Sequence, residues 1–302
     1  MTAPDPALSS DLALRLSSAS VEISSRGHQV PELRDHFAGG TDVTITFLPG
    51  DSYRRNVDTA AALRHAGFNP VPHIAAREMP SREALDDFLR RARSEADVKR
   101  ILVIAGDVAR QKGPFGSSRD VCASGLIEAH GIASVGVAGH PEGHPYLETA
   151  DAFGVLEAWR DWKQTTGIEV AVITQFCFES APILAWIGEL QARRLDLEII
   201  VGLAGPATAA TLMKFALRCG IGNSMRSLRG QIGRHSRLLT DTGPDDVMRG
   251  LQSAPSSVTA PISGFHVFPF GGLRKAANWL RGYDAGMAPL PHAASATEPQ
   301  NP

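Results

Sequence analysis

Residues 134–176 read SVGVAGHPEGHPYLETADAFGVLEAWRDWKQTTGIEVAVITQF, and their pattern decides the fold. The stretch opens with a short apolar run, Ser134–His140, and passes through a Pro- and Gly-rich loop. A long helical pattern, Leu147–Thr166, follows, and a second apolar run, Val170–Phe176, closes it. Neither run alternates apolar with polar residues. A short, continuous run rich in Val and Ile is how a strand buried on both faces reads. Gly167 supplies the helix stop. Strand, helix and strand in this order make a parallel pair joined by a right-handed crossover.

The same alternation continues in both directions, without any internal sequence repeat. Upstream lie the runs Val21–Ser25, Val43–Leu48, Pro70–Ala76 and Arg100–Gly106, and downstream lie Leu197–Leu203 and Ile262–Pro269. Helical patterns at Asp51–Ala66, Ser81–Glu95, Ser117–Ala129 and Pro182–Arg194 separate them. Eight such units predict an α/β chain folded as a (β/α)8 TIM barrel. The segment between the seventh and eighth strands is too long for one helix. Pro206–Cys219, Gly222–Leu239 and Pro244–Ser253 are expected to form extra helices there. The reading gives a single domain over 1–284 and a disordered tail over 285–302, which is rich in Ala, Pro and Ser.

Composition bounds the partners. Of 302 residues 43% are hydrophobic, ample for a sizeable core. Thirty Lys and Arg against 32 Asp and Glu leave a net charge of -2, so no basic excess draws the chain to nucleic acid or an anionic membrane. No apolar run approaches the length of a spanning helix, and Met1–Ser10 does not read as a secretory signal. Cys122, Cys177 and Cys219 are odd in number and widely spaced, matching neither a disulfide framework nor a zinc pattern. A reducing cytoplasm is the simplest home. The oligomeric state stays open, since barrels often associate through their outer helices.

In a barrel the reactive groups sit at the C-terminal ends of the strands. Glu22 interrupts an apolar strand, where a carboxyl is costly unless paired or protonated. It reads either as an edge residue facing solvent or as a general acid raised by burial. Asp107, after Gly106, is either a turn or a second carboxylate opening on the same mouth. His140, Glu142 and His144 invite a metal reading, as in a metal-dependent hydrolase that also uses His73. Pro141 and Gly143 break that spacing, and the first strand carries no His-x-His pair. His73 and His266 on apolar strands are by default satisfied core histidines. No dinucleotide fingerprint, P-loop or nucleophile elbow is present. Arg160 and Lys163, three residues apart on one helix, are either a solvated face or an anion clamp.

The strand-end motifs resemble those of the methylenetetrahydrofolate reductase family. The likeness is carried by Val135–Pro145 with its His-Pro-Glu-Gly-His-Pro, and by Ile173-Thr174-Gln175-Phe176. Val71-Pro72-His73-Ile74, Ile104-Ala105-Gly106-Asp107 and Gly264-Phe265-His266-Val267-Phe268 extend it, with Glu22 on the first strand. The pieces run in order from about Glu22 to Phe270. The resemblance implies FAD held non-covalently at the barrel mouth and NADH or NADPH as hydride donor. The implied reaction is ping-pong interconversion of 5,10-methylenetetrahydrofolate and 5-methyltetrahydrofolate, in the one-carbon supply to methionine biosynthesis. It implies Glu22 as general acid, Asp107 as the carboxylate facing a cationic intermediate, and Gln175 as a folate contact. For the flavin it implies Thr46, His73, Ala105, Gly106, Asp107, Cys122, Ala123, His140, His144, Glu157, Arg160 and Lys163. The chain departs from the family pattern at Ala105, where Arg is usual, and at Gln164, where Lys is usual. Cys122 and His140 stand where Tyr is usual, and Glu157 where Asp is usual. Two lost cations motivate an alternative within the family, a flavin-free reductase with direct hydride transfer.

Overall fold

In a computed structural model, described over residues 12, 14–26, 29–108, 110–144, 149–221 and 241–284, eight parallel strands close into a barrel. They are β1 Ser20–Ser24, β2 Asp42–Thr46, β3 Asn69–Ala75, β4 Arg100–Ile104, β5 Ser134–Gly139, β6 Glu169–Thr174, β7 Glu198–Ala204 and β10 Ile262–Phe268. Between the last two, β8 Ala207–Thr208 and β9 Asp241–Thr242 form an antiparallel ribbon. Every expected run is a barrel strand, within a residue or two at each end. The expected helix over 222–239 and the tail over 285–302 lie outside the described residues.

Helices cover the outside: α1 Val30–His36, α2 Tyr53–His65, α3 Arg82–Ala96, α4 Ser118–Cys122, α5 Leu126–Ala129, α6 Thr149–Thr166 and α7 Ser180–Ala192. After β7 come α8 Ala209–Arg218, α9 Asp245–Gln252, α10 Ser256–Thr259 and, after β10, α11 Leu273–Asp284. Local chemistry explains their ends. The Ser81 hydroxyl accepts from the Ala84 amide at 3.2 Å to cap α3, and Thr208 caps α8 in the same way. The expected single helix Ser117–Ala129 is two. Gly125 adopts φ 70°, and the Ser124 hydroxyl donates to Val121 O while accepting from the Leu126 amide. A left-handed residue cannot continue a helix, so the chain restarts there. Helices α1 and α11 were not anticipated. α1 has only seven residues, whereas α11 carries a helical period at Leu273, Ala276, Ala277 and Leu280 that the sequence reading passed over. Among the described residues no helix is long and apolar enough to cross a membrane.

The main core lies between the strands and the helices. Val21, Ile23, Val43, Ile45, Val103, Val137, Val172 and Val201 point outward into it against Leu63, Leu89, Trp159 and Ile187. Each fully buried Val, Ile or Leu contributes about 1.5–3 kcal/mol.

The alternate residues point into the barrel. Following the strand register sorts them into layers of four drawn from alternate strands. The lowest layer holds Ser20, Val71, Gly136 and Ile200. Above it come Thr44, Leu102, Ile173 and His266, then Glu22, His73, Ala138 and Gly202. Thr46, Ile104, Gln175 and Phe268 sit at the mouth. Val71, Leu102, Ile173, Ile104 and Ile200 pack together as an apolar cluster inside the barrel. The polar side chains therefore gather on one wall, formed by β10, β1, β2 and β3.

Candidate active site

Glu22 and His73 belong to one layer and come together inside the barrel. His73 Nε2 lies 3.7 Å from Glu22 Oε2, longer than a hydrogen bond. The Glu22 side chain is 18% exposed and that of His73 is 7% exposed. Burial pushes the Glu22 carboxyl up to about 8, so it is mostly protonated at neutral pH. Burial, aided by nearby His266, pushes His73 down to about 3 and keeps it neutral. His266, fully buried, is also pushed down to about 3 by burial. Its Nδ1 meets Ser20 Oγ at 2.8 Å. The default expectation of a satisfied core histidine holds for that nitrogen of His266 but not for the Nε2 of either histidine. His73 Nε2, His266 Nε2 and Thr44 Oγ1 are buried with no hydrogen-bond partner.

Asp107 stands exposed just past β4. Gly106 before it adopts φ 94°, and a Cβ there would lie 3.3 Å from the Ala75 Cβ. Only glycine turns the chain here without strain. The turn is tied to the loop after β3, because the Arg77 amide donates to Ala105 O at 2.9 Å and the Lys112 amide to Arg77 O at 2.8 Å. Lys112 also pairs with buried Glu78. Thr46 ends β2, and its hydroxyl donates to Ile23 O at 3.3 Å. Arg26 pairs with the side chain of Asp51, fastening the loop after β1 to the loop after β2.

His140 and His144 leave β5 together, with ring centroids 4.7 Å apart. Burial first, and then His144, pushes His140 down to about 3. His144 is lowered by burial, against a raising influence of Asp107 and with a further lowering by Arg77. That places His144 between the loops of β3 and β4. Glu142 turns the other way and hydrogen-bonds the thiol of buried Cys177, which burial and Glu142 push up. The two histidines and Glu142 therefore do not converge. Among the described residues no three His, Cys, Asp or Glu side chains are gathered as a metal ion would require.

The mouth is partly roofed. Phe176, Ala204, Ala207, Leu212, Ala216 and Ile221 form a second buried cluster, with Phe215, Phe268 and Phe270 packed on it. Phe215 stacks on Phe270 at 4.1 Å, which fastens α8 over the β6–β7–β10 side. Cys219, at the end of α8, is pushed up to about 11 by burial and then by Asp107 and Glu22. One residue thus senses both candidate catalytic carboxylates. Sequence reading missed it, as it missed Thr44, and it noted Arg77 only as a polar residue after the third strand. The paired Phe176/Phe178 and Phe268/Phe270, each two apart beyond a strand end, were the available signal for a roof. Gln175 is half-buried at this rim, its backbone N–H donating to Gly139 O at 2.8 Å and its side-chain Oε1 accepting from the Phe176 backbone N–H at 3.1 Å.

The remaining candidates lie further out. Cys122 is buried in the outer core, pushed up to about 12 by burial and then Glu128, and Ala123 beside it is exposed. Glu157, Arg160 and Lys163 follow one another down α6. Both Arg160 Nε and its terminal nitrogen contact neighbouring Asp161, at 2.9 and 2.8 Å. Lys163 pairs at 2.7 Å with Glu169, the first residue of β6. That pair sits at the N-terminal end of the barrel, opposite the mouth.

A family model described as methylenetetrahydrofolate reductase matches residues 28–225. Methylenetetrahydrofolate reductase 2 of Saccharomyces cerevisiae is 24% identical over 238 residues, covering 75% of this chain. The chain spans only 39% of that relative's length. A solved Clostridium thermocellum protein, described as binding two copies of 5-methyl-5,6,7,8-tetrahydrofolic acid, superposes with a TM-score of 0.56 at 12% identity. That alignment covers 93% of this chain and 98% of the other, and it shows the shared fold.

Proposed function

The chain belongs to the methylenetetrahydrofolate reductase family, and on that premise we propose that it interconverts 5,10-methylenetetrahydrofolate and 5-methyltetrahydrofolate with NADH or NADPH as the electron donor. The observation that carries this is Glu22, a carboxyl held inside the barrel and pushed up to about 8 by burial. The methylene bridge must open to an iminium cation before it accepts hydride. Glu22 donates its proton to the departing ring nitrogen as the carbon–nitrogen bond breaks, and the carboxylate is left behind. Asp107, at the mouth, faces the cation, and Gln175 presents its amide to the folate ring. Hydride then adds to the iminium carbon, so one proton and one hydride enter per turnover. A tetrahydrofolate is also what the C. thermocellum neighbour binds.

The lead reading carries the hydride through FAD, which when bound takes it from the nicotinamide and passes it to the folate in two half-reactions. Thr46, His73, Gly106, Asp107, His140 and His144 stand at or just inside the mouth and fit a flavin ring. Cys122 and Ala123 are carried over from the resemblance alone. The diphosphate end fits less well, because Arg160 and Lys163 are engaged by Asp161 and Glu169. That observation favours a second reading, direct transfer from the nicotinamide to the folate. A visible spectrum of the purified protein, with 5-methyltetrahydrofolate added anaerobically, separates the two. An oxidised-flavin spectrum that bleaches supports the first. A protein colourless even after FAD is supplied, yet reducing methylenetetrahydrofolate with NADH, supports the second. No turnover in either test overturns the proposal.

A further inference from the structure

We propose that Thr44, His73 and His266 form a hydrogen-bonding floor that receives the Glu22 carboxylate after its proton is given away. The inference rests on the reading of Glu22 as the general acid, and it adds residues that reading does not use. Thr44 is the register partner of Glu22 on β2. His266 lies one layer below on the other neighbouring strand, β10, paired in register with Ser20. His73 shares the Glu22 layer, its Nε2 3.7 Å from Glu22 Oε2. All three flanking residues are buried, at 1%, 5% and 0% exposure for Thr44, His73 and His266. Each keeps one polar atom without a partner, Oγ1 of Thr44 and Nε2 of both histidines.

Three unpartnered polar atoms in one wall of a barrel core are costly, where Val or Leu would pack at no such cost. Below them Val71 and Ile200 close the barrel with apolar side chains. Glu22 is the register partner of Thr44 and the layer neighbour of His73, and His266 lies one layer below it on the adjoining strand. A carboxyl in a dry core is a poor acid if its conjugate base is stranded, because burial alone drives the proton affinity ever higher. Donors that meet the carboxylate make the proton transferable. In the tautomer in which Ser20 donates to His266 Nδ1, the ring proton stands on Nε2, the nitrogen the floor uses toward Glu22. The floor acts directly or through one bound water, since a water needs two to four polar partners and these atoms supply them. The bond to hydrogen on Glu22 breaks and a hydrogen bond from the floor forms, with no proton lost from the histidines. Of the titratable groups around Glu22, His73 from β3 faces it at 3.7 Å, His266 from β10 acts on His73, and Cys219 from the end of α8 senses Glu22 and Asp107.

The test reads the titration of Glu22 itself in the full chain, with no substrate present. The reporter is the infrared carboxyl band that Glu22→Gln removes. Burial alone sets the midpoint at about 8, and in the unaltered protein, where the floor also acts, it is expected below that. Thr44→Val, which keeps shape, and His266→Leu are each expected to raise it by about one pH unit or more, the shift for one lost charge-assisted hydrogen bond. Ser20→Ala frees the His266 tautomer and is expected to move it in the same direction by less. If His266→Leu does not fold, Thr44→Val carries the test alone. A midpoint unchanged or lowered in Thr44→Val overturns the floor. A raised midpoint in a protein that never turns over folate keeps the floor and discards the proposed reaction.

Discussion

At the scale of single residues, Glu22 governs both chemistry and stability. Its carboxyl is pushed to about 8 in the fold, against about 4.5 for an unhindered group. For folate reduction the protonated form is active, so the rate is expected to hold below neutrality and fall as pH rises through about 8. Glu22→Gln is expected to lower folate turnover by two orders of magnitude or more while ligand binding persists, read by stopped-flow mixing. Unchanged turnover would remove Glu22 from the mechanism. The sign for stability follows from the raised value. Both states hold the proton below about 4.5, and above that the unfolded chain loses it first. Wild-type stability is therefore eroded between about 4.5 and 8, by on the order of a few kcal/mol. Glu22→Gln should raise the melting temperature at pH 8 and not at pH 4. His73, His140 and His266 act on the other side. Each is lowered from about 6.5 to about 3, so their contribution is present above 6.5 and is lost as pH falls toward 3.

At the scale of elements, the strands were legible because a barrel strand buried on both faces must be a short apolar run. The helix patterns were legible where a cap or a stop lies next to a period, as at Ser81 and Gly167. Legibility failed at Gly125, where left-handed backbone divided a continuous helical pattern, and at α1, which has only seven residues; the period of α11 was legible and was not read. Gly202 shows how tightly the strands pack. A Cβ there would fall 2.1 Å from Thr174 O and 2.8 Å from the Phe268 ring. The Gly202 amide also donates to Thr174 Oγ1 at 2.9 Å. Gly202→Ala must spread β6 from β7, and is expected to cost about 3 kcal/mol in urea unfolding. A loss under about 0.5 kcal/mol would show that the barrel wall yields there.

At the scale of the whole molecule, the barrel is closed by β1 and β10, and the terminal helices support that closure. Arg281 in α11 donates to His36 O at the end of α1 at 3.0 Å, tying the helix after β10 to the helix after β1. A chain ending after Asp284 is expected to melt within about 2 °C of the full chain, and a drop of 10 °C would assign the tail a structural role. The pairing of Glu142 with Cys177 argues against a metal-dependent hydrolase. Prolonged dialysis against a chelator is expected to leave activity intact, with loss of activity restored by zinc as the contrary result.

The amino-acid order alone determined the architecture and singled out Glu22, Thr46, His73 and His266 on the polar wall inside the barrel. Buried strands, their spacing and the motifs at their ends are local properties that survive without coordinates. Glu22 was conspicuous for the same reason, as a charge-bearing group in an apolar run. Only the tertiary structure decided which of these residues meet. Register set Glu22 beside His73 and Thr44, and the tilt of the strands brought His266 beneath them from the far end of the chain. The fold also turned Glu142 away from the two histidines and carried Lys163 to the opposite end of the barrel. Those outcomes depend on strand shear and helix direction, which place residues hundreds of positions apart within bonding distance and separate near neighbours. No periodicity within one segment encodes them.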